Sequence, residues 1–367
     1  MKIIHTGDIH LDSAFTAMNP IEAQKRRNAL RSALSSLFLY AKTEGTQLFI
    51  IAGDLFDDEC VTKDTVMMLC KEMSLLSECT FVVTPGNHDP FTEMSPYNLV
   101  KWPENLYIFK NSELEYVEIP HINARVYGSA YFGQSKQPFA EESLHAINDG
   151  MINILVHHGD VDVPSSAYCP ITTQQIKDSG FDYVALGHIH KGGEINKAGD
   201  TTYAYCGCLE GRDFGETGYK GAIVGEVEKG KTNLRHVRFC SKRYERVEFD
   251  VTGANNLNDC APSIAEKCAL YGDDTLLRIE LTGVTGVSFS ADETLLRKLV
   301  SRPSYLEIKD KTLALEGMDS LNDDKSLAGE FYRAIKDKLV SEDENERQIA
   351  SMALKYGLRA IYGMEVK

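Results

Sequence analysis

The sequence predicts a layered α/β domain followed by a smaller α+β domain. The chain has 367 residues, more than one compact core of usual size, so we expect two domains. In the first two-thirds, short apolar runs rich in β-branched residues alternate with helical segments, as in layered α/β domains. This pattern changes around residues 239–248. We therefore predict a first domain at 1–241 and a second at 242–367.

The strands of the first domain are predicted from their apolar runs. Most of these runs are too continuously apolar for a half-exposed strand, so both faces should be buried. The predicted strands are 2–6, 47–52, 80–84, 124–128, 153–156, 183–186, 202–205 and 221–227.

Two helices are predicted between the first three strands. Residues 20–43 carry apolar side chains at helical spacing, and the opposite face carries a basic cluster that we expect to be solvated. This cluster consists of Lys25, Arg26, Arg27 and Arg31. A second helix is predicted at 62–77, with Thr62 as its N-terminal cap. The alternation implies crossover helices, and ligands of such domains collect at the carboxyl ends of the strands.

The second domain combines a few strands with several helices. Strands are predicted near 245–251, 275–281 and 304–309, and helices near 263–270, 291–301, 326–340 and 345–356. The segment 345–361 is interpreted as a packed terminal helix, with a partner-binding segment as the alternative.

Composition restricts the protein class. The apolar fraction of 43% and the charged fraction of 25% are typical of globular proteins, and no apolar run is long enough for a membrane span. The nine cysteines include no CxxC pair, and the chain enters a motif at once, without room for a signal peptide. We therefore expect a cytoplasmic protein that does not bind membranes.

The net charge of −15 bears on the substrate. This acidic excess is spread over both halves of the chain, which argues against tight binding of DNA by the isolated chain. It does not exclude phosphodiester chemistry, because bound divalent cations would add positive charge where a phosphate must lie.

Five polar stretches each follow an apolar strand, and together they contain six of the ten histidines. One such stretch is common by chance, but five at strand ends indicate a metal centre. The stretches are Asp8-Ile9-His10, Gly53-Asp54-Leu55-Phe56-Asp57, Gly86-Asn87-His88-Asp89, His157-His158-Gly159-Asp160 and Gly187-His188-Ile189-His190.

The residue types of these stretches suit two transition-metal ions. In an extended chain the side chains at i and i+2 point the same way, so Asp8 and His10 could bind one ion. By the same geometry His188 and His190 could converge, each turned to its own metal. Carboxylate, imidazole and amide oxygen suit Mn²⁺, Fe²⁺ or Zn²⁺. A carboxylate is a natural bridge between two cations, and Asp54 is the candidate.

The motif order D-x-H, G-D-x-x-D, G-N-H-D, H, G-H-x-H resembles the calcineurin-like metallophosphoesterase superfamily over roughly residues 1–240. This resemblance implies a sandwich of two mixed sheets flanked by helices, followed by a smaller cap domain for substrate or partner. It also implies two divalent metal ions, with Mn preferred and Fe or Zn as alternatives. One metal site would contain Asp8, His10, Asp54 and His190, and the other Asp54, Asn87, His157 and His188. His157 is chosen over His158 because it directly follows the predicted strand, and His158 remains the alternative.

The resemblance further implies two catalytic residues. His88 matches the histidine near the leaving group that is not a metal ligand, and Asp57 matches the acid that orients it. A hydroxide between the two metals would attack phosphorus, while His88 stabilises or protonates the departing oxygen.

Three features are similar to bacterial SbcD-like DNA repair exonucleases of the double-strand-break repair family. These are residues 1–12, the segment 205–216 after the last ligands, and the two-domain layout. They imply a DNA exonuclease that acts in DNA repair with an SbcC-like coiled-coil ATPase. One departure is Asp57, since these nucleases often carry a histidine at its position.

Two other functions remain open from the sequence. One is a small-molecule phosphodiesterase or phosphatase of the same superfamily, and the other is a chiefly structural subunit of an ATPase. The sequence also leaves open the substrate-binding residues, the polarity of cleavage, endo- against exo-cleavage, the native metal, and homodimer formation.

Overall fold

The computed structural model describes residues 1–57, 61–139, 144–286, 289–313 and 318–363. The chain divides into two compact units, Met1–Arg243 and Tyr244–Lys367. The boundary predicted from the sequence follows residue 241.

The described residues of the first unit form twelve strands and four α-helices. The strands are β1 (Lys2–Thr6), β2 (Leu48–Ala52), β3 (Thr80–Thr84), β4 (Leu106–Ile108), β5 (Glu115–Ile119), β6 (Ala124–Gly128), β7 (Ile152–His158), β8 (Tyr183–Gly187), β9 (Ile195–Ala198), β10 (Thr201–Tyr205), β11 (Gly221–Glu228) and β12 (Lys231–Arg238). The helices are α1 (Pro20–Glu44), α2 (Lys63–Ser74), α3 (Pro96–Leu99) and α4 (Thr173–Asp178).

These strands form two six-stranded sheets, both mixed. The first sheet has the order β12-β11-β1-β2-β3-β4, in which β1 to β4 are parallel and β11 is antiparallel to β1. The second sheet has the order β5-β6-β7-β8-β10-β9, in which β6, β7, β8 and β10 are parallel. The carboxyl ends of the parallel strands in each sheet therefore lie at one edge.

The two sheets pack face to face, because alternate residues of each strand point into a shared core. Ile50 of β2 and Val156 of β7 belong to this inner core. The opposite faces pack on helices: Phe49 of β2 lies with Phe38 of α1, and Leu155 of β7 lies with Ile176 of α4. Burial on both faces, predicted from the continuous apolar runs, is confirmed.

The basic cluster of α1 is less solvated than expected. Arg26 is buried and pairs with Glu210, Nη2 to Oε1 at 2.7 Å, and it also donates to the carbonyl of Gly211. Arg31 donates to Asp12 at 2.5 Å. Each of these two arginines is paired with a buried carboxylate. The carboxylates lie in loops outside α1, so the periodicity of the helix could not predict these pairs. The predicted cap of α2 is confirmed, since the Thr62 side chain accepts from the Thr65 N–H.

The second unit contains one small sheet and four α-helices in its described residues. The strands β13 (Arg243–Asp250), β14 (Thr275–Thr282) and β15 (Tyr305–Asp310) lie in that order, with β14 parallel to β15. The helices are α5 (Ala261–Cys268), α6 (Glu293–Leu299), α7 (Leu327–Ile335) and α8 (Glu344–Ile361). The predicted helix 326–340 is α7 followed by a 3₁₀ segment, Lys336–Val340.

Two apolar clusters stabilise the second unit. Ile264 of α5 and Leu296 of α6 pack with Ile279 of β14. Leu354 and Leu358 of α8 are fully buried with Ala328 of α7. The predicted fold class, two mixed sheets flanked by helices and a smaller α+β unit, is confirmed.

Two further findings concern the described part of the chain. Its eight cysteines are all free thiols. A membrane-spanning helix, long and apolar throughout, is absent among these residues.

Candidate metal centre

The five polar stretches meet at one edge of the sandwich. Three of them follow β1, β2 and β3 of the first sheet, and the other two begin in the last residues of β7 and β8 of the second. One contact ties the two sheets together here, because Asp8 accepts from the His188 N–H at 3.0 Å. Within the first sheet, Asp54 accepts from the His88 N–H at 2.9 Å. Four of the five stretches therefore share direct hydrogen bonds through two buried carboxylates.

The backbone at this edge adopts the left-handed region at several candidate ligands. The φ angles are 46° at Asp8, 48° at His10, 50° at Asp54 and 92° at His188. Such angles are uncommon for residues other than glycine and are held here by hydrogen bonds such as His10 N–H to the Asp54 carbonyl, 3.0 Å. The extended conformation expected for Asp8 and His10 is therefore wrong, although both side chains do reach one site.

Two glycines permit close packing behind the carboxylates. A Cβ atom on Gly86 would lie 2.2 Å from Asp54 Oδ1, and one on Gly53 would lie 2.2 Å from His158 Nδ1. Any side chain at either position would displace these groups.

The first side of the centre contains Asp8, His10 and His190, whose potential ligand atoms lie within 4.8 Å of one another. The two Nε2 atoms of His10 and His190 are only 3.3 Å apart. Their Nδ1 atoms face carboxylates, Asp57 at 2.7 Å and Glu216 at 2.5 Å. With Nδ1–H donating to a carboxylate, the neutral form of each ring directs an Nε2 lone pair at the other. A cation between them would relieve this repulsion, so the donor set fits a metal ion.

The protonation states suit the same role. Burial lowers the pKa of His10 to about 4, although the hydrogen bond to Asp57 opposes this shift. Burial opposes ionisation of Asp57, but its hydrogen bond with His10 and the nearby charges hold its pKa at about 2. Burial also opposes ionisation of Glu216, but its hydrogen bond with His190 and the nearby charge of Arg212 lower its pKa to about 2. At neutral pH the His10 ring is therefore neutral and both carboxylates are ionised.

The second side of the centre contains Asn87, His158 and His188. His158 donates its Nδ1–H to the carbonyl of Ala52 at 2.9 Å, which leaves the Nε2 lone pair 2.9 Å from Asn87 Oδ1. His188 Nδ1 also lies near Asn87 Oδ1, at 3.2 Å. Burial lowers the pKa of His188 to about 4, so its ring is neutral at physiological pH. Acceptor atoms again converge, as a cation would require.

Asp54 lies between the two sides. Its Oδ2 atom is 3.7 Å from His10 Nε2 and 3.4 Å from His158 Nε2. Asp8 is also buried, and burial together with the charge of Asp54 raises its pKa well above the usual range. Two buried carboxylates disfavour each other's ionised form, and bound cations would reverse that effect.

His157 does not reach the centre, so the prediction that it is a ligand is wrong. Its Nε2 lies 2.9 Å from the carbonyl of Cys169, and its ring packs beside Phe139. Neighbouring residues of a strand point to opposite faces, and His158 is the one that points inward. The alternative, His158, is the histidine of this pair that reaches the centre.

His88 and Asp57 lie together, as predicted, but Asp57 also has a second contact. His88 is half exposed, and its Nδ1 is 3.6 Å from Asp57 Oδ1. The same oxygen is 2.7 Å from His10 Nδ1. Asp57 therefore holds His10 more closely than it holds His88.

Sequence reasoning assigned no role to Asp89 or Glu216. Asp89 is fully buried and accepts from the N–H groups of Leu55 at 2.7 Å and Gly86 at 2.7 Å, which joins the loops after β2 and β3. The position of Asp89 in the G-N-H-D motif was the sequence feature that could have indicated a role for it. Glu216 lies in the segment 205–216, and only that resemblance marked it.

The family comparison agrees with this site. The family model described as calcineurin-like phosphoesterase matches residues 1–192, which is more than half of the chain. An uncharacterized metallophosphoesterase, YhaO of Bacillus subtilis (strain 168), is 28% identical over 298 residues, covering 77% of this chain and 72% of that protein. The crystal structure of TT1561 of Thermus thermophilus aligns with a TM-score of 0.39 and 11% identity, covering 65% of this chain and 99% of that one.

Proposed function

Because this chain belongs to the calcineurin-like phosphoesterase family, we propose that it is a two-metal phosphodiesterase that degrades DNA as an exonuclease. The superfamily predicted from the motifs is confirmed, and it implies a metal-dependent phosphoesterase. The DNA substrate, the exonuclease mode and manganese as the native metal, with iron or zinc as alternatives, are our proposals.

One observation carries the two-metal proposal: Asp54 Oδ2 lies within 3.7 Å of an imidazole Nε2 on each side. A carboxylate in this position can bind both ions at once. Two divalent cations held there would supply hydroxide near neutral pH and neutralise the phosphoryl oxygens. We propose as ligands Asp8, His10, Asp54, Asn87, His158, His188 and His190.

The protein's own groups prepare the site for a phosphodiester. Asp57 and Glu216 fix the Nδ1–H form of His10 and His190, so that Nε2 points inward. His88 lies at the exposed rim with its Nδ1 toward Asp57, which leaves Nε2 free to protonate the departing oxygen. These roles need no residue outside the first unit.

An aromatic pair whose loops are linked by hydrogen bonds to the end of β7 supports a nucleic-acid substrate. The Phe91 N–H donates to the carbonyl of Tyr131, whose hydroxyl donates to the carbonyl of His158 at 3.0 Å. The rings of Phe91 and Phe132 lie 6.1 Å apart, and Phe132 is 53% exposed. An exposed ring here could stack a base of a strand whose phosphate occupies the centre.

The resemblance of residues 1–12 and 205–216 to SbcD-like exonucleases also supports DNA. On the same basis we propose that the second unit binds substrate or an SbcC-like ATPase. The net charge of −15 favours the alternative of a small-molecule phosphodiesterase or phosphatase.

Parallel assays of the full chain with MnCl₂ separate these functions. The substrates are linear duplex DNA, a single-stranded oligonucleotide, circular DNA, bis-p-nitrophenyl phosphate and p-nitrophenyl phosphate. We expect cleavage of linear and single-stranded DNA and of the diester, with circular DNA intact. Preference for the monoester, or diester cleavage with every DNA intact, would contradict the nuclease proposal.

The aromatic pair provides a second test. Stacking of one base contributes about 1–3 kcal/mol, so Phe132→Ala should raise KM for the oligonucleotide about tenfold. The same variant should cleave bis-p-nitrophenyl phosphate with unchanged constants. Equal loss on both substrates would instead indicate damage to the centre.

A further inference from the structure

The two sides of the centre differ in the groups that hold their histidines. On the first side, each imidazole faces a carboxylate through Nδ1. On the second side, His158 donates to a backbone carbonyl, and the outer Nε2 of His188 lies 3.8 Å from Asp160 Oδ2, beyond hydrogen-bond distance. A carboxylate on the outer nitrogen makes the inner nitrogen a stronger metal ligand and fixes the ring orientation.

We propose that Glu216 and Arg212 are positioning residues that make the side with Asp8, His10 and His190 bind its cation more tightly than the side with Asn87, His158 and His188. This inference rests on the proposed two-metal function. It assigns a role to two residues that are not metal ligands and that lie in the loop before β11.

Glu216 is held at both carboxylate oxygens. Oε1 faces His190 Nδ1 at 2.5 Å, and Oε2 accepts from the backbone N–H of Arg212 at 2.7 Å. Its side chain is only 12% exposed. A carboxylate anchored in this way cannot swing away from His190 without losing the second hydrogen bond.

Arg212 extends this arrangement to the other histidine. Its guanidinium lies 3.6 Å from Glu216 Oε1 and 3.8 Å from Asp57 Oδ2. These are the two carboxylates that hold His190 and His10. A positive charge between them offsets their mutual repulsion, so both can lie close to the imidazoles.

The contacts of His190 identify which hydrogen bond matters. Arg212 Nη2 lies 3.4 Å from His190 Nδ1, whereas Glu216 lies at 2.5 Å. The shorter contact requires the proton on Nδ1, because a carboxylate can only accept. Nε2 of His190 is thereby left as the metal-binding atom, directed at His10.

The test is a titration of the metal-free full chain with MnCl₂, in which free Mn²⁺ is followed by electron paramagnetic resonance. The wild type should show two classes of site with different dissociation constants. Glu216→Gln keeps the shape of the side chain but removes its charge. It should weaken the tighter class about tenfold or more while leaving the weaker class unchanged. Glu216→Ala should weaken the tighter class further.

A matched control lies in the same loop. Asp213 is exposed and accepts from the Gly215 N–H, with its carboxylate turned to its own loop. Asp213→Asn removes one negative charge three residues away, so it should leave both classes unchanged. Melting of each metal-free variant verifies that the fold is retained.

Two results would overturn the proposal: an unchanged tighter class in Glu216→Gln, or equal weakening of both classes. Wild-type chain that binds two Mn²⁺ ions unequally yet cleaves no phosphodiester would contradict the proposed function and leave this inference standing. The two failures are therefore distinguishable.

Discussion

The two sides of the candidate metal centre have similar candidate ligands but hold them differently. His10 and His190 are each fixed by a partly buried carboxylate, and Arg212 lies between these carboxylates. His158 is fixed by the carbonyl of Ala52, and the ring of Tyr168 lies 4.4 Å from that of His188. The difference teaches that a motif identifies a ligand, whereas the strength of the ligand depends on groups elsewhere in the chain.

Replacing the shared ligand should abolish the distinction between the two sides. Asp54→Asn removes the charge of a carboxylate whose Oδ2 lies within 3.7 Å of an imidazole Nε2 on each side. Loss of about 4 kcal/mol of charge stabilisation corresponds to about a thousandfold lower kcat/KM on bis-p-nitrophenyl phosphate. Elemental analysis should find less than one metal per chain. Two bound metals in this variant would contradict a bridging role.

The adjacent histidines of β7 form a matched pair. His158→Gln should lower kcat/KM about a hundredfold or more, because it removes a ligand from the second side. His157→Gln, one residue away, should retain activity within about threefold and lose stability instead, since its ring packs outside the centre. Steady-state kinetics of both variants decide which of the two histidines is the ligand. The reverse order of effects would restore His157 as the ligand.

His88 should separate catalysis from metal binding. His88→Gln removes the proton donor at the rim, so kcat on the single-stranded oligonucleotide, whose alkoxide leaving group needs a proton, should fall about a hundredfold. Both metals should remain, because no candidate ligand depends on its side chain. The kcat on bis-p-nitrophenyl phosphate should fall less, because p-nitrophenolate leaves without a proton. Metal loss in this variant would show that His88 is a ligand.

The same His157→Gln variant should change the pH dependence of stability. Burial lowers the pKa of His157 to about 3, well below its value in an unfolded chain. Between these values the unfolded state binds the additional proton, so stability is lost as pH falls from about 6.5 toward 3. Without this ring, the slope of unfolding free energy against pH should decrease by about 1.4 kcal/mol per pH unit near pH 5. Denaturant unfolding at several pH values, in the presence of a chelator, measures this slope. An unchanged slope would contradict the conclusion that His157 is buried in its neutral form.

The sequence predicted the elements that carry the centre because their signals are local. The runs 2–6 and 80–84 coincide with β1 and β3, and continuous apolarity indicated their burial. Strands with weaker signals were not predicted. One example is β12, an edge strand in which exposed and half-buried residues largely alternate.

The choice between His157 and His158 shows where local signals end. Both faces of β7 are apolar and buried: Ile154 faces the other sheet and Leu155 faces α4. Apolarity alone therefore does not reveal which set of alternate residues in β7 points toward the other sheet. Only the pairing of the sheets assigns His158 to the centre.

Long-range partners were equally hidden from the sequence. Glu216 lies 26 residues beyond His190 and meets it only after the loop before β11 folds back. Arg26 of α1 meets Glu210 across 184 residues. Neither spacing corresponds to a local motif, so tertiary structure was needed to find both.

The central claim is that two cations share Asp54. Anomalous diffraction from crystals of the full chain soaked in MnCl₂ tests it most directly. We expect two peaks about 3.5–4 Å apart, both within coordination distance of the Asp54 carboxylate, one toward His10 and His190 and the other toward His158. A single peak, or two peaks with Asp54 bound to neither, would contradict the account.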